Sequence, residues 1–256
     1  MLKPKISIIV PSFNDNRIKN TIDSIIRFDD INSVEMVIVD GGSDNKVLMS
    51  LRSSIRENDI LISEQDRGIF DALNKGLELS RGNIIGWLGS DDFFSKDLKA
   101  SYVIKNIANY DLFILGAAHF GNGNIKRITP AWPQKYGLIK FGFNNPHFST
   151  FGKRDILLSE NFDEDNWAAD IDYFLKIFDK KPQVNTSKKI GSYMSEGGFS
   201  SRSASFIFLN NLKLITTYTK YNRLFGYFSP FIKLIFKILT RLPFLITTKN
   251  HKIKYE

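Results

Sequence analysis

Ser90-Asp91-Asp92 follows directly on the apolar run Asn83-Ile84-Ile85-Gly86-Trp87-Leu88-Gly89. Adjacent carboxylates at the end of a strand repel one another and resist burial unless something positive meets them. A divalent cation carrying a phosphate ester is such a partner, because hard cations take oxygen ligands and bridge phosphate to carboxylate. The plainer alternative is that Asp92 caps the turn before Phe93 and Phe94. Another carboxylate occupies a comparable place, since Asp40 closes Met36-Val37-Ile38-Val39. A carboxylate within reach of a hydroxyl is a general base.

These residues need a scaffold, and the hydrophobic pattern supplies one. Ile6 to Val10 is a β-branched run closed by Pro11, and Met36 to Val39, Ile60 to Ser63 and Ile84 to Leu88 are three more runs of strand length. Between them, residues 16–28 and 69–80 carry apolar side chains at helical spacing. Strand and helix in alternation predict a doubly wound α/β sheet, whose ligands bind at the carboxyl ends of its strands. The polar clusters at Asn14, Asp40 and Asp92 all fall there. Beyond residue 100 the spacing predicts a strand over Leu112 to Gly116, an edge or loop over Ile125 to Trp132, and an amphipathic helix over Ala169 to Phe178.

The chain has 256 residues, a net charge of +8 and no cysteine. That excludes disulfides, thiolate nucleophiles and cysteine zinc sites, and three histidines make a histidine metal cluster improbable. The segment 201–256 holds ten Lys/Arg against one acid, so the first 200 residues are close to neutral. A basic nucleic-acid groove across the fold is excluded by that distribution. No export signal is visible at the start, and no apolar run is long enough to span a membrane. In the tail, Ser229 at an N-cap and Pro230 at the first helical position predict a helix to Arg241, with Lys233, Lys237 and Arg241 forming one basic stripe and Pro243 ending it.

Taken in order, Pro11-Ser12-Phe13-Asn14, Val37-Ile38-Val39-Asp40-Gly41-Gly42-Ser43, Asp66-Arg67-Gly68-Ile69-Phe70-Asp71-Ala72-Leu73-Asn74-Lys75-Gly76 and Ser90-Asp91-Asp92 resemble the inverting family 2 glycosyltransferases of the GT-A fold. The resemblance is close over about the first hundred residues and looser to about residue 200. It implies a mostly parallel, Rossmann-like α/β sheet flanked by helices, with a basic amphipathic helical segment at the C-terminus. The expected organisation is a catalytic domain over 1–204, nucleotide-binding in 1–100 and acceptor-binding in 101–204, followed by a tail over 205–256.

By the same resemblance, Asp92 ligates Mn²⁺ or Mg²⁺, and Asp91 contacts the donor ribose or a metal-bound water. Asp40 accepts the uracil imide N–H, with Pro11, Ser12 and Asn14 lining the nucleotide pocket. The family more often has a second acid at position 41, where this chain has glycine. Arg67, Asn74 and Lys75 are candidate contacts to base or diphosphate, and Arg202 in Gly197-Gly198-Phe199-Ser200-Ser201-Arg202 is another. Asp170 matches the catalytic base, although Ala169 replaces the usual glutamate before it. Asp172 points to the other side of the helix and reads as structural. His147 is equally a packed histidine or a contact to the acceptor.

The implied reaction is inverting, metal-dependent transfer from a UDP-sugar (galactose, glucose or an N-acetylhexosamine) to a hydroxyl of a polyprenyl-diphosphate-linked saccharide in surface polysaccharide assembly, such as O-antigen. The basic tail suggests peripheral attachment to an anionic membrane, at the cytoplasmic face of the inner membrane. Two readings compete. A nucleotidyltransferase would carry a glycine-rich loop after the first strand, which Pro11-Ser12-Phe13-Asn14-Asp15 lacks; an inactive membrane-bound scaffold would not need Asp91, Asp92 and Asp170.

Overall fold

The computed structural model describes residues 3–132, 138–142, 145–195 and 204–241. Among them, nine strands form one sheet whose path runs β3-β2-β1-β4-β8-β6-β9-β5, with β7 paired to β6. The first half is the predicted alternation: β1 (Ile6–Ser12), α1 (Ile18–Ile26), β2 (Val34–Asp40), α2 (Asn45–Ser54), β3 (Ile60–Ser63), α3 (Ile69–Leu79) and β4 (Ile84–Trp87). Its four strands are parallel, in the order 3-2-1-4. The order reverses between β1 and β4, the place where such sheets open a crevice.

β1 is buried on both faces, with Ile6, Ile8, Ile9 and Val10 fully enclosed, as a central strand covered by helices requires. α3 lies against it through Gly76, where an added Cβ would stand 2.3 Å from Ile9 Cγ2. The close approach of helix to strand depends on that missing side chain. The register sets Ser12 beside Asp40 and Asp40 beside Ser63, so three strands end level at the crevice.

The second half comprises β5 (Phe93–Phe94), α4 (Ala100–Ile107), β6 (Leu112–Gly121), β7 (Asn124–Thr129), β8 (Thr150–Lys153), α5 (Arg154–Leu157), α6 (Ala169–Asp179) and β9 (Val184–Ser195). Here β8 and β7 are antiparallel to their neighbours, and β9 runs parallel to β6. The segment expected as edge or loop is the strand β7. An aromatic cluster ties the halves together: Trp87 packs edge-on against Phe162, Tyr173 and Phe174 at ring distances of 5.8 to 6.0 Å.

Two helices complete the described chain, α7 (Ala204–Tyr221) and α8 (Arg223–Leu239), joined by Asn222 alone. α7 belongs to the catalytic body: Leu214 and Tyr218 are buried, and Lys220 reaches the buried Asp172, which also pairs with Lys176. The structural role expected of Asp172 is that anchorage.

α8 begins six residues before the predicted Ser229 cap, because Asn222 takes the capping role by accepting the Phe225 N–H at 3.2 Å. Pro230 is interior, and it lacks the N–H that would serve the Gly226 carbonyl. Ser229 Oγ donates to that carbonyl instead, at 2.7 Å. Gly226 itself meets α7, where an added Cβ would lie 2.4 Å from Thr219 Cγ2. The helix ends at Leu239, and Pro243 lies outside the described residues.

Candidate functional site

A cavity of about 600 Å³ opens at the switch point between β1 and β4. On the nucleotide side it is lined by Pro11, Ser12, Asp15, Arg17, Asp66, Asp91 and Asp92, and on the far side by His147 and Asp170. The acidic pair and the expected base therefore share one space.

β4 ends at Trp87, and the turn after it is held by a single hydroxyl from α1. Thr21 Oγ1 donates to the Asp92 carbonyl at 2.6 Å, with the Ser90 and Gly89 carbonyls at 3.0 and 3.3 Å. Asp92 is 4% exposed, and its Oδ1 accepts the Ser195 N–H from the end of β9 at 2.8 Å. Burial, reinforced by the neighbouring Asp91 carboxylate, pushes Asp92 up to about 8. Asp91 is also raised by burial, against the pull of Arg17, whose Nη1 is 3.2 Å away. Arg17 is shared with Asp15 at 2.7 Å; burial works against the charge of Asp15, but hydrogen bonds from Arg17 outweigh it and hold the carboxyl low.

A nearly enclosed carboxylate with a second acid beside it fits a hard divalent cation. Asp92 would hold it, with Asp91 adjacent. Among the described residues no group of three or more His, Cys, Asp or Glu converges as a full cage.

Nucleotide-side residues divide sharply. Ser12 Oγ is buried, lines the cavity and has no hydrogen-bond partner among the described residues, so it is available to a ligand. Asn14, in the left-handed region at φ 48°, ties two strand ends together: its N–H donates to Ser43 Oγ and its Oδ1 accepts from Asp44 N. Asp40 is fully buried and accepts from Ser43 N at 2.9 Å, from Ser63 Oγ at 2.7 Å and from Ser43 Oγ. Neither lines the cavity.

Asp66 does line it, and sequence reading passed it over. Its carboxylate lies over Gly41, and burial raises it above the usual carboxylate range, with Asp71 and Asp40 adding to the effect. A carboxylate from the loop after β3 thus stands beside Gly41.

Arg67, Asn74 and Lys75 stand outside the lining. Arg67 pairs with Glu164 at 2.6 Å, and Lys75 pairs with Glu64 at 2.7 Å and Asp71 at 3.3 Å. Asn74 bonds both the N–H and the carbonyl of Phe162, at 2.9 and 3.0 Å, joining α3 to the loop that leads into α6. Arg202 and the 197–202 loop lie outside the described residues.

Asp170 stands in the first turn of α6, 34% exposed, with its Oδ2 3.7 Å from His147 Nδ1. Burial lowers the His147 imidazole, opposed by Asp170. The His147 carbonyl accepts the indole N–H of Trp87 at 2.6 Å, which locks the segment before β8 onto β4. His119, Arg127, Lys233 and Lys237 complete the far wall. Of the expected basic stripe, Lys233 and Lys237 line the cavity and Arg241 does not. His119 and Arg127 gave no signal, since nothing in a hairpin's sequence says what packs over it.

Comparison with known proteins follows the same division. A family model described as "Glycosyl transferase family 2" matches residues 7–169. The chain is 30% identical over 203 residues to chondroitin synthase of Escherichia coli, covering 72% of this chain and 28% of that protein. It thus spans under a third of the length of that curated relative. Among solved structures, S. aureus TarS 1–349 in complex with UDP-GlcNAc superposes at a TM-score of 0.62 with 17% identity, over 82% of this chain and 66% of that one. The mannosyltransferase PcManGT of Pyrobaculum calidifontis in complex with GDP-Man and Mn²⁺ gives 0.60 with 18% identity, over 87% and 65%. The fold is the GT-A arrangement that these structures share.

Proposed function

The chain belongs to glycosyl transferase family 2, and from that premise we propose that it moves a sugar from a UDP-sugar to a hydroxyl of a lipid-linked saccharide, with inversion. The observation that carries this reading is the enclosure of Asp91, Asp92 and Asp170 in one cavity. The donor's diphosphate lies at Asp91 and Asp92, and Ser12 and Pro11 border the nucleoside. Asp40 is the family's uracil carboxylate; closed in by Ser43 and Ser63, it works beside Asp66, which faces the ring. Asp92 would hold a divalent ion, manganese or magnesium, whose positive charge would offset the negative charge of the departing diphosphate.

Asp170 takes the proton of the acceptor hydroxyl as that oxygen attacks the anomeric carbon. The bond from that carbon to the diphosphate oxygen breaks on the opposite face, and UDP leaves. One base suffices, since no glycosyl-enzyme intermediate forms. His147, neutral and 3.7 Å from Asp170, borders the acceptor hydroxyl. The sugar transferred is galactose, glucose or an N-acetylhexosamine, in surface polysaccharide assembly.

Peripheral membrane attachment is part of the proposal, with a change of contact. α8 leaves Tyr227, Phe228, Phe231 and Leu234 exposed, so the lipid-facing surface is largely apolar. No described helix is long and apolar enough to cross a membrane.

A panel of UDP-sugars with Mn²⁺, read as UDP release, tests the reaction. One donor is expected to give metal-dependent release that Asp170→Asn lowers by about 10² to 10⁴-fold. Pyrophosphate release from a nucleoside triphosphate, with every UDP-sugar inert, would favour the nucleotidyltransferase reading instead.

A further inference from the structure

The cavity has a second charged pole that donor chemistry does not use. Lys233 and Lys237, one turn apart on α8, reach its wall beside Arg127 of β7. Their electrostatic neighbours set them apart from the metal end. Arg17 is the cation that acts on Asp91 and Asp92, whereas Asp170 is the carboxylate that acts on Lys233. Arg127 and Lys237 both act on His119, deeper in the same wall.

Such a cluster is costly to keep. Lys233 is exposed at the edge of this wall, and Arg127 adds like-charge repulsion that Asp170 opposes. Lys233 and Lys237 line the cavity while remaining exposed, and the half-buried Ile232 and Phe236 make the packed face of α8. The orientation is pinned by Trp132 packing on Phe236 at 5.7 Å. Arg127 is oriented as well. Its Nη2 lies 3.1 Å from His119 Nδ1, and His119 Nε2 lies 2.9 Å from Thr129 Oγ1. Since guanidinium only donates, Nδ1 accepts and Nε2–H donates to the threonine.

Resting on the reading that Asp170 receives the acceptor proton, we infer that the acceptor carries an anionic oxygen group, bound by Arg127, Lys233 and Lys237 while its hydroxyl lies at Asp170. Arginine offers a fork to paired oxygens, and the lysines add point charges. Two sources share this chemistry: a phosphate or diphosphate link to a carrier, and the carboxylate of an acidic sugar.

The test measures binding of inorganic pyrophosphate, glucuronate and glucose to the full chain by calorimetry, with and without saturating UDP and Mn²⁺. At least one anionic probe is expected to bind in the presence of UDP while glucose does not. Lys233→Gln/Lys237→Gln should weaken that probe by about tenfold or more, with the affinity for UDP unchanged. Arg127→Lys, which keeps charge and loses the fork, should weaken it less. Pyrophosphate binding alone assigns a phosphate link; glucuronate binding alone assigns an acidic sugar. Binding of neither probe, indifference to the lysine substitutions, or competitive displacement of the probe by UDP overturns the inference. Failure of UDP itself to bind strikes the donor reading separately, because the lysine dependence of the anionic probes is still measured without it.

Discussion

The Asp66 carboxylate occupies the space above Gly41: a Cβ at position 41 would lie 2.6 Å from Asp66 Oδ2. One acid at this corner therefore excludes the other, and the chain has chosen the one that comes from the loop after β3. Asp66→Ala is expected to weaken UDP binding several-fold without a loss of fold. Gly41→Asp in the native background should also weaken it, by displacing Asp66. The double substitution should recover part of the loss, a positive coupling that calorimetry on the four proteins of the cycle would measure. Additive losses would place Asp66 outside nucleotide recognition.

Asp92→Asn separates the metal from the fold. Asparagine keeps an oxygen for the Ser195 N–H and removes a buried charge, so the melting temperature without metal should stay level or rise. Mn²⁺ with UDP should raise the melting temperature of the native chain and leave the variant unmoved. An equal shift in both would sink the assignment of the ion to Asp92.

His119 makes stability fall in acid. Burial, with Arg127, Arg241, His147 and Lys237 around it, lowers its imidazole to about 3 from an ordinary 6.5. The unfolded chain takes up the proton near 6.5 and the folded chain does not, so stability present above pH 6.5 is lost as pH falls towards 3. Each pH unit in that window costs at most about 1.4 kcal/mol. Chemical denaturation at pH 7 and 5 should therefore show a smaller difference in His119→Gln than in the native chain.

Phe228 and Phe231 are the expected lipid contacts. Serine at both should abolish co-sedimentation with phospholipid vesicles while leaving UDP release from the soluble donor intact. Truncation before α7 is a poor substitute, since it strips Leu214 and Tyr218 from the core. Equal sedimentation of the native and doubly substituted chains would remove the membrane from the proposal.

The nucleotide half of the fold was legible because its strands are buried on both faces, and so read as unbroken β-branched runs. β8 and β9 escaped notice for the opposite reason. β8 is only four residues, and β9 carries Asn185, Lys188 and Lys189, so its identity comes from pairing with β6 and not from its own pattern. At the site, Asp92 stood out by its place after a buried strand, whereas Asp170 and His147 were found only through the family resemblance. Asp15 and Arg17 sat unremarked in the loop that holds Asn14. The lysines of α8 show the limit most clearly: periodicity finds a stripe, but only tertiary packing decides which way it faces.

That facing is set by the Trp132–Phe236 contact and by the corner that leads into α8. Asn222 alone separates α7 from α8, and Gly226 holds the two helices in contact at Thr219. One residue inserted there would turn α8 by about 100° and advance it by about 1.5 Å. Lys233 and Lys237 would then leave the wall that they line. The acceptor wall is thus set by helix phase as much as by residue type, and a relative could give up a charged acceptor by changing the length of a corner without altering any side chain that lines the wall.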